Sequence, residues 1–583
     1  MNKVKLRNCH SKPKFKYGIE IPRNYKDIDR IDKANGNTAW KDALKKELDC
    51  MNLYKVFKDI GKGTVVPEGY KNIRIHFVYD VKHDGRHRAR LVAGGHLTDI
   101  PVDSVYSGVV SLRGFRLLVF LAELNGLEVW STDISSAYLE AYTKEKVCIT
   151  AGPEFGPLEG HRLLIDKALY GLPSSGARWH DKFATCMQAE GFFPCKAEPD
   201  IWMRPAGDHY EYVAVYVDDL AFALDDPQKF VDILQDKHNF KLKGTGRLDY
   251  HLGANFTCDP DGTLCMSPKK YITERLVPSY VTMFGEKPKT RAKSPIEKGD
   301  HPETDTSDLL DAEGIQQYQS LIGSLQWNIS LGRYDIMCAV MTMSSFRSVP
   351  RIGHLERLKR ICGYIVNTAD YKLRFQTHDI DYSDLVTKKE DWHKIYGKVS
   401  EILPSNCPEP LGKSVTLTHY VDANLMHDVT TGRSVTACLH FINGTPIDAY
   451  SKKQPTVETA TYGSEFVAAC TCVEQIIDLQ TTLRYLGVHV NGKSHMFGDN
   501  ESVVKSSTTL YTKLTKRHNL LSFHRVREAI ASGLVDFVYL PGPKNPADVL
   551  SKHWAFDDVC DILLPIMHQY GDTLQQNNNK NLH

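Results

Sequence analysis

Residues 210–224, YEYVAVYVDDLAFAL, constrain the fold more than any other stretch of the chain. Two runs rich in β-branched and aromatic residues meet at Asp218-Asp219, which predicts two strands joined by a tight polar turn. Asp225-Asp226-Pro227 follows and reads as an N-cap with proline in the first turn of the next helix. Apolar residues flank the turn on both sides, so two carboxylates would be held close together on a rigid hairpin. Like charges at that distance either raise one pKa or bind a cation, and a divalent metal is the usual solution. The same dipeptide recurs at 225–226 and 557–558 without such a setting, so the context carries the signal and not the pair itself. The plain alternative is a polar hairpin turn.

A third carboxylate strengthens the metal reading. Residues 127–134 (LEVWSTDI) predict a short strand ending near Asp133, followed by a small-residue turn and Tyr138. Three carboxylates from adjacent strands can hold two metal ions roughly 3.5 to 4 Å apart, the arrangement that stabilises attacking and leaving oxygens in phosphoryl transfer. Nearby, residues 73–81 and 89–93 flank His83-Asp84-Gly85 and predict a strand hairpin carrying the basic residues Lys82, Arg88 and Arg90. Helical spacing appears at 40–53 and again at 173–191, the latter closed by Gly191.

The length of 583 residues allows about four globular units at roughly 150 residues each. Two polar, proline-containing stretches, 286–314 and 376–413, interrupt the apolar periodicity and read as connections. The last block alternates strand and helix signals: a strand over 415–421 ending on Asp422, strands over 434–441 and 447–451, a helix over 464–486 ended by Gly487, a strand over 495–499, a helix over 520–531, a strand over 535–540 and a final short helix from Pro546. The fold class is therefore mixed α/β (α+β). There is no fixed-period repeat, and 574–583 is polar, low-complexity and expected to be disordered. With 72 basic and 71 acidic residues the chain is not a polycation, although a local basic groove on a neutral body remains compatible with that balance. No apolar run approaches the roughly 20 residues of a bilayer span, and residues 1–16 lack an apolar secretory core, which predicts a chain that stays inside the cell without a membrane partner. The 14 cysteines are scattered singly, as expected of reduced, mostly buried thiols.

Several strings together resemble a known family. YVDD at 216–219, TDISSAYLEA at 132–141, ARLVAGGH at 89–96 and ALYGLPSSGARW at 168–179 resemble the reverse transcriptase of copia-type retrotransposon polyproteins. HLGANF at 251–256 resembles that family's primer-grip hairpin, and 318–336 with 360–375 its connection region. HYVDAN at 419–424, SKKQPTVETATYGSEFVAA at 451–469, FGDNES at 497–502 and NPADVLSKH at 545–553 resemble its RNase H domain. The resemblance covers about 17–554 in colinear order.

The resemblance implies a right-hand polymerase of fingers, palm and thumb over 20–285 after an N-terminal extension of 1–19. A linker (286–314), a helical connection (315–375), a second linker (376–413), an RNase H-like domain (414–556) and a tail (557–583) follow. It implies RNA-directed DNA polymerase activity joined to ribonuclease H activity on RNA/DNA hybrids. The catalytic and metal-holding residues become Asp133, Asp218 and Asp219 in the first site and Asp422, Glu465, Asp499 and Asp548 in the second. Each site would take two Mg²⁺ ions, with Mn²⁺ able to substitute. Lys82, Arg88, Arg90, Tyr138 and Ser174 become nucleotide-binding residues, with Tyr138 the steric gate against a ribose 2′-OH. Tyr216, His251, Leu252, Gly253, Lys513, Lys516, Arg517 and Arg525 become nucleic-acid contacts. The implied partners are an RNA template, a DNA primer and product, RNA/DNA hybrid, dNTPs and the capsid and integrase of a particle. The implied location is a cytoplasmic virus-like particle, with access to the nucleus.

The sequence departs from the family pattern at four places. Pro173-Ser174 stands where a Lys-Gln pair is usual, Gly463 replaces one of two glutamates, and Leu520 replaces an aspartate near His518, to which no catalytic role is given. The segment 376–413 is also longer than is typical. These departures keep a second class of function open, a catalytically decayed element that only binds nucleic acid. A third is a structural polyprotein segment of a particle.

Overall fold

The computed structural model describes residues 13–82, 85–99, 105–383, 385, 390–400, 404–514 and 517–568. The hairpin anticipated at residues 210–224 is the centre of a six-stranded antiparallel sheet. Its strands lie in the order Phe193–Pro194, Ile201–Ala206, His209–Tyr216, Asp219–Leu224, Glu128–Ile134 and Leu242–Arg247. Period-two alternation explains its burial on both faces. Ala221 and Ala223 pack towards helix Leu112–Asn125, whereas Leu220, Phe222 and Leu224 join Trp179 and Phe183 of helix Ser175–Ala189. Small residues on one face and large ones on the other set how closely each helix approaches.

The expected basic hairpin forms from Ile75–Val81 and His87–Ala93 in antiparallel register, resting on helix Ala39–Leu53. Its turn residues His83 and Asp84 lie outside the described residues. A separate four-stranded sheet, in the order Phe57–Lys62, His161–Ile165, Val147–Thr150 and Lys71–Asn72, completes this lobe.

The C-terminal block contains a five-stranded mixed sheet in the order Thr445–Lys453, Arg433–Ile442, Leu417–Asp428, Ser494–Gly498 and Val535–Tyr539. The first three strands form an antiparallel meander, and the last two run parallel to the central one. Helix Thr461–Tyr485 lies across it and buries Phe466, Val473 and Ile476. The central strand does not end at Asp422, as the sequence suggests. It continues to Asp428 because its partner follows it across a bulge to the pair Asp428–Arg433. Among the described residues no helix is long and apolar enough to cross a membrane.

Helices Ala312–Ser330, Met337–Ser344 and Ile352–Asn367 join the two halves. One apolar core runs from Phe120 and Leu121 through Leu325 and Ile361 to Leu439 and Leu483. Arg116 is buried within it, and its guanidinium donates to the carbonyls of Ile447 (2.8 Å) and Ser330 (2.7 Å), tying the first helix of the sheet to both later blocks. Tyr212 likewise donates to the Leu486 carbonyl at 2.8 Å.

The polar stretch 286–314 is not a free tether. Asp300 and Asp305 both pair with Arg357 of the connection, at 2.7 and 2.6 Å. Structure also extends past 556, where the sequence suggests a tail. Helix Phe556–Leu563 buries Val559 and Leu563, and His568 bridges back to Lys372. Residues 569–583, including the stretch expected to be disordered, lie outside the described residues.

Candidate active sites

The turn between the two central strands sits one residue earlier than the sequence suggests. Tyr216 pairs with Asp219, leaving only Val217 and Asp218 in the turn. Val217 adopts φ +60°, a costly conformation for a β-branched residue. Two hydrogen bonds fix the strained turn. Trp179 Nε1 donates to the Val217 carbonyl at 2.8 Å, and the Ile134 amide donates to the Asp218 carbonyl at 2.7 Å. On the other side Asp219 sits directly opposite Asp133 in the antiparallel ladder. The register therefore assembles all three carboxylates at one end of the sheet.

Electrostatics follow from that placement. Burial, then the charges of Asp218 and Asp133, push the Asp219 carboxyl up to about 6. Burial and Asp218 also raise Asp133, against Lys243, Lys82 and Arg88. Proton sharing and cation binding are the two ways to relieve such a cluster, so the donor set fits a divalent ion. These three residues are more loosely grouped than the second acidic set described below.

A cavity of about 740 Å³ opens between this end of the sheet and the basic hairpin. Asp133 and Asp218 line one side, and Lys82, Arg88 and Arg90 the other. Lys82 and Arg88 are exposed, while Arg90 is half-buried with its guanidinium 4.2 Å from the ring centre of Tyr170. Tyr170 in turn lies 4.9 Å from the half-buried ring of Tyr138, which stands behind it and does not itself line the cavity. Burial, partly offset by Arg90, pushes the Tyr170 hydroxyl up to about 12.

Three of the expected contacts take other places. Ser174 is buried and its hydroxyl and amide both donate to Glu145 Oε1, at 2.6 and 3.1 Å, so it does not line the cavity. His251 is turned into the core against Phe115, ring centres 4.9 Å apart, and burial depresses its pKa to about 4. Arg525 is engaged by Glu474 and Glu528 rather than left free for a phosphate backbone. The other described nucleic-acid contacts are at least partly accessible. Leu252 and Gly253 form a half-exposed turn with positive φ at both residues, beside Trp327 of the connection. Tyr216 is half-buried, Lys513 and Arg517 are exposed, and Lys516 lies outside the described residues.

The second acidic set is compact. Asp422 in the central strand, Glu465 on the long helix and Asp499 just past strand Ser494–Gly498 each offer a carboxylate oxygen, all within 4.8 Å of one another. Asp422 is 1% exposed and Glu465 8%. Burial and the charges of Asp422 and Asp499 hold the Glu465 carboxyl well above its usual range, and burial with Asp422 raises Asp499. Three mutually close, largely desolvated carboxylate oxygens suit a hard divalent cation.

Asp548, on helix Asp548–Ser551, joins this set through a residue the sequence reading did not single out. Lys552 Nζ lies 2.6 Å from Asp548 Oδ1 and 3.3 Å from Asp422 Oδ2, and the Ser551 hydroxyl also donates to Asp422. Burial and Asp422 push Asp548 up to about 7, against the charge of Lys552. The signal was present in the sequence, since Lys552 falls one helical turn after Asp548 in NPADVLSKH.

The glycine at 463 also has a structural cause. A Cβ there would meet Glu458 Oε2 at 2.3 Å, so the carboxylate of a preceding loop fills the space. That carboxylate is bonded to His518 Nε2 at 2.9 Å and to Asn519.

Parts of the chain are similar to known proteins. Residues 60–288 match the family model described as "Reverse transcriptase (RNA-dependent DNA polymerase)". The retrovirus-related Pol polyprotein from transposon TNT 1-94 of Nicotiana tabacum is 24% identical over 88% of the chain and 36% of its own length. The corresponding polyprotein from transposon RE1 of Arabidopsis thaliana is 23% identical over 93% of the chain and 34% of its length. The chain thus spans about a third of the length of these curated relatives. Among solved structures, a foamy viral protease-reverse transcriptase in complex with double-stranded DNA aligns at 12% identity and TM-score 0.46, covering 86% of this chain and 70% of that one.

Proposed function

We propose that the chain is a reverse transcriptase polypeptide of the copia-type retrotransposon Pol lineage, an RNA-directed DNA polymerase joined to a ribonuclease H, a reading supported by the family match over residues 60–288 and by the similarity to the transposon polyproteins. The observation that carries the reading is the register that sets Asp133 opposite Asp219 and beside Asp218, facing Lys82, Arg88 and Arg90 across one cavity. Anionic metal-holding groups on one wall and phosphate-binding cations on the other are what a dNTP requires.

In this reading Asp133, Asp218 and Asp219 hold two Mg²⁺ ions, for which Mn²⁺ can substitute. When bound, the ions would supply positive charge to offset the negative charge that develops on the reacting phosphate. Arg90 offers two parallel donors to phosphate oxygens, and Lys82 and Arg88 add charge at the exposed mouth. Tyr138 closes the sugar side against a 2′-OH. The primer 3′-OH attacks the α-phosphorus and pyrophosphate leaves. Tyr216, Leu252 and Gly253 lie along the path of the primer strand.

In the second site Asp422, Glu465, Asp499 and Asp548 hold the ions for hydrolysis of the RNA strand of a hybrid. Lys513 and Arg517 face the phosphate backbone, which requires no fixed sequence. The polymerase occupies about 20–285 and the RNase H-like domain about 414–556, and the segment after it is folded as far as His568. Assembly with capsid and integrase in a cytoplasmic particle, with nuclear access, completes the proposal.

Primer extension with dNTPs on an RNA template tests it. The native protein should extend in Mg²⁺ and stop when the metal is chelated, and Asp218→Asn should lower the rate by about 10³-fold or more. Tight hybrid binding without any extension would favour the binding-only alternative.

A further inference from the structure

The two groups assigned above to opposite ends of a nucleotide are linked by one side chain. Arg90 faces the triphosphate and Tyr138 the sugar, and Tyr170 touches both. The Arg90 guanidinium lies 4.2 Å from the Tyr170 ring centre, and the Tyr170 and Tyr138 rings are 4.9 Å apart at 41°. All three side chains are only half-buried, and Arg90 and Tyr170 line the same cavity as Asp133 and Asp218.

The backbone leaves Tyr170 little room to retreat. The Ala93 amide donates to the Tyr170 carbonyl at 2.7 Å. Gly171 follows with φ +92°, and a Cβ on it would meet the Ala93 carbonyl at 2.2 Å. A Cβ on Gly95 would meet the Gly171 carbonyl at 2.0 Å. Two glycines thus allow the loop carrying Tyr170 to lie directly on the end of strand His87–Ala93, the strand that carries Arg90. The ring is fixed relative to the basic hairpin while it braces a tyrosine of the sheet lobe.

We propose that Tyr170 is a positioning residue for sugar discrimination: it holds the Tyr138 ring against the space of a ribose 2′-OH and is itself held by Arg90. Recognition of the triphosphate and of the sugar are then energetically joined, although Arg90 and Tyr138 contact different parts of the substrate. The inference rests on the polymerase reading and deepens it. Offset and tilted ring pairs favour particular orientations, and a guanidinium over a ring face adds an attraction that lysine's compact ammonium reproduces less well.

The test is the ratio of kcat/KM for a dNTP to that for the matching rNTP in single-nucleotide extension of a primed RNA template. Tyr170→Leu should lower this ratio by about tenfold. Tyr170→Phe, which keeps the ring, should leave it within about twofold. Arg90→Lys should also lower it, although that change lies at the triphosphate. On a Tyr138→Ala background Tyr170→Leu should produce no further loss of discrimination, because the group it positions is gone.

An unchanged ratio in Tyr170→Leu, with KM raised equally for both nucleotides, would overturn the proposal, as would full additivity with Tyr138→Ala. If Tyr170→Leu fails to fold, an unchanged ratio in Arg90→Lys overturns it independently. Native protein that incorporates neither nucleotide would reject the polymerase reading itself, and this inference with it, a result distinct from incorporation with unaltered selectivity.

Discussion

In the proposed polymerase site, Asp219 is the residue whose protonation matters most. Its carboxyl, pushed to about 6 by burial and then by Asp218 and Asp133, can carry a proton at mildly acidic pH. A protonated carboxyl cannot serve as a full metal ligand, so proton and cation compete. Extension should therefore fall as pH drops through about 6, and the midpoint of that fall should move to lower pH as Mg²⁺ is raised. Rate profiles at two Mg²⁺ concentrations check this, and a midpoint indifferent to metal would contradict it. In the second site the Lys552 ammonium supplies part of the positive charge a metal ion would bring, since it already pairs with Asp422 and Asp548. Other polar residues show why role assignment from sequence has limits. Ser174, His251 and Arg525 each look available in a linear reading, and each is engaged or buried by a residue distant in the chain: Glu145, Phe115 and Glu474. Local sequence reports the donor, whereas the partner is decided by the fold.

At the scale of elements, the contact between the basic hairpin and the loop bearing Tyr170 is the most demanding. Gly171 combines a positive φ with a carbonyl where its Cβ would lie. Gly171→Ala should lower stability by about 3 kcal/mol, read from chemical unfolding, and should weaken dNTP use more than hybrid cleavage. Much of the element order was legible from patterning. The basic hairpin, the Asp218-Asp219 hairpin and the helix at residues 520–531 all lie where β-branching, turn residues and helical spacing place them. Asp226 caps the helix from Pro227 by accepting from the Lys229 amide, as its sequence position indicates. The misplacements have a common cause. Asp422 looked like a strand terminus because polar residues often end strands, yet pairing with Arg433–Ile442 carries the strand onward. Helix Phe556–Leu563 is too short to stand out by periodicity, and its apolar residues gain meaning only within the core it shares with the rest of the chain.

The whole molecule is less divided than its polar stretches suggest. A shared core, the Arg116 guanidinium and the Asp300 and Asp305 pairs with Arg357 bind the two acidic sites into one body. The two sites are nonetheless built at separate sheets, with Asp133 and Asp219 on strands of one and Asp422 on a strand of the other, so each should fail without the other. The most direct test is a crossed assay on one preparation. Asp219→Asn and Asp422→Asn are each measured for dNTP incorporation on a primed RNA template and for cleavage of the RNA in a preformed hybrid. Asp219→Asn should abolish incorporation and leave cleavage within about twofold of native, and Asp422→Asn should do the reverse. Loss of both activities from either single change, with both variants folded and binding hybrid normally, would contradict two independent metal-dependent sites.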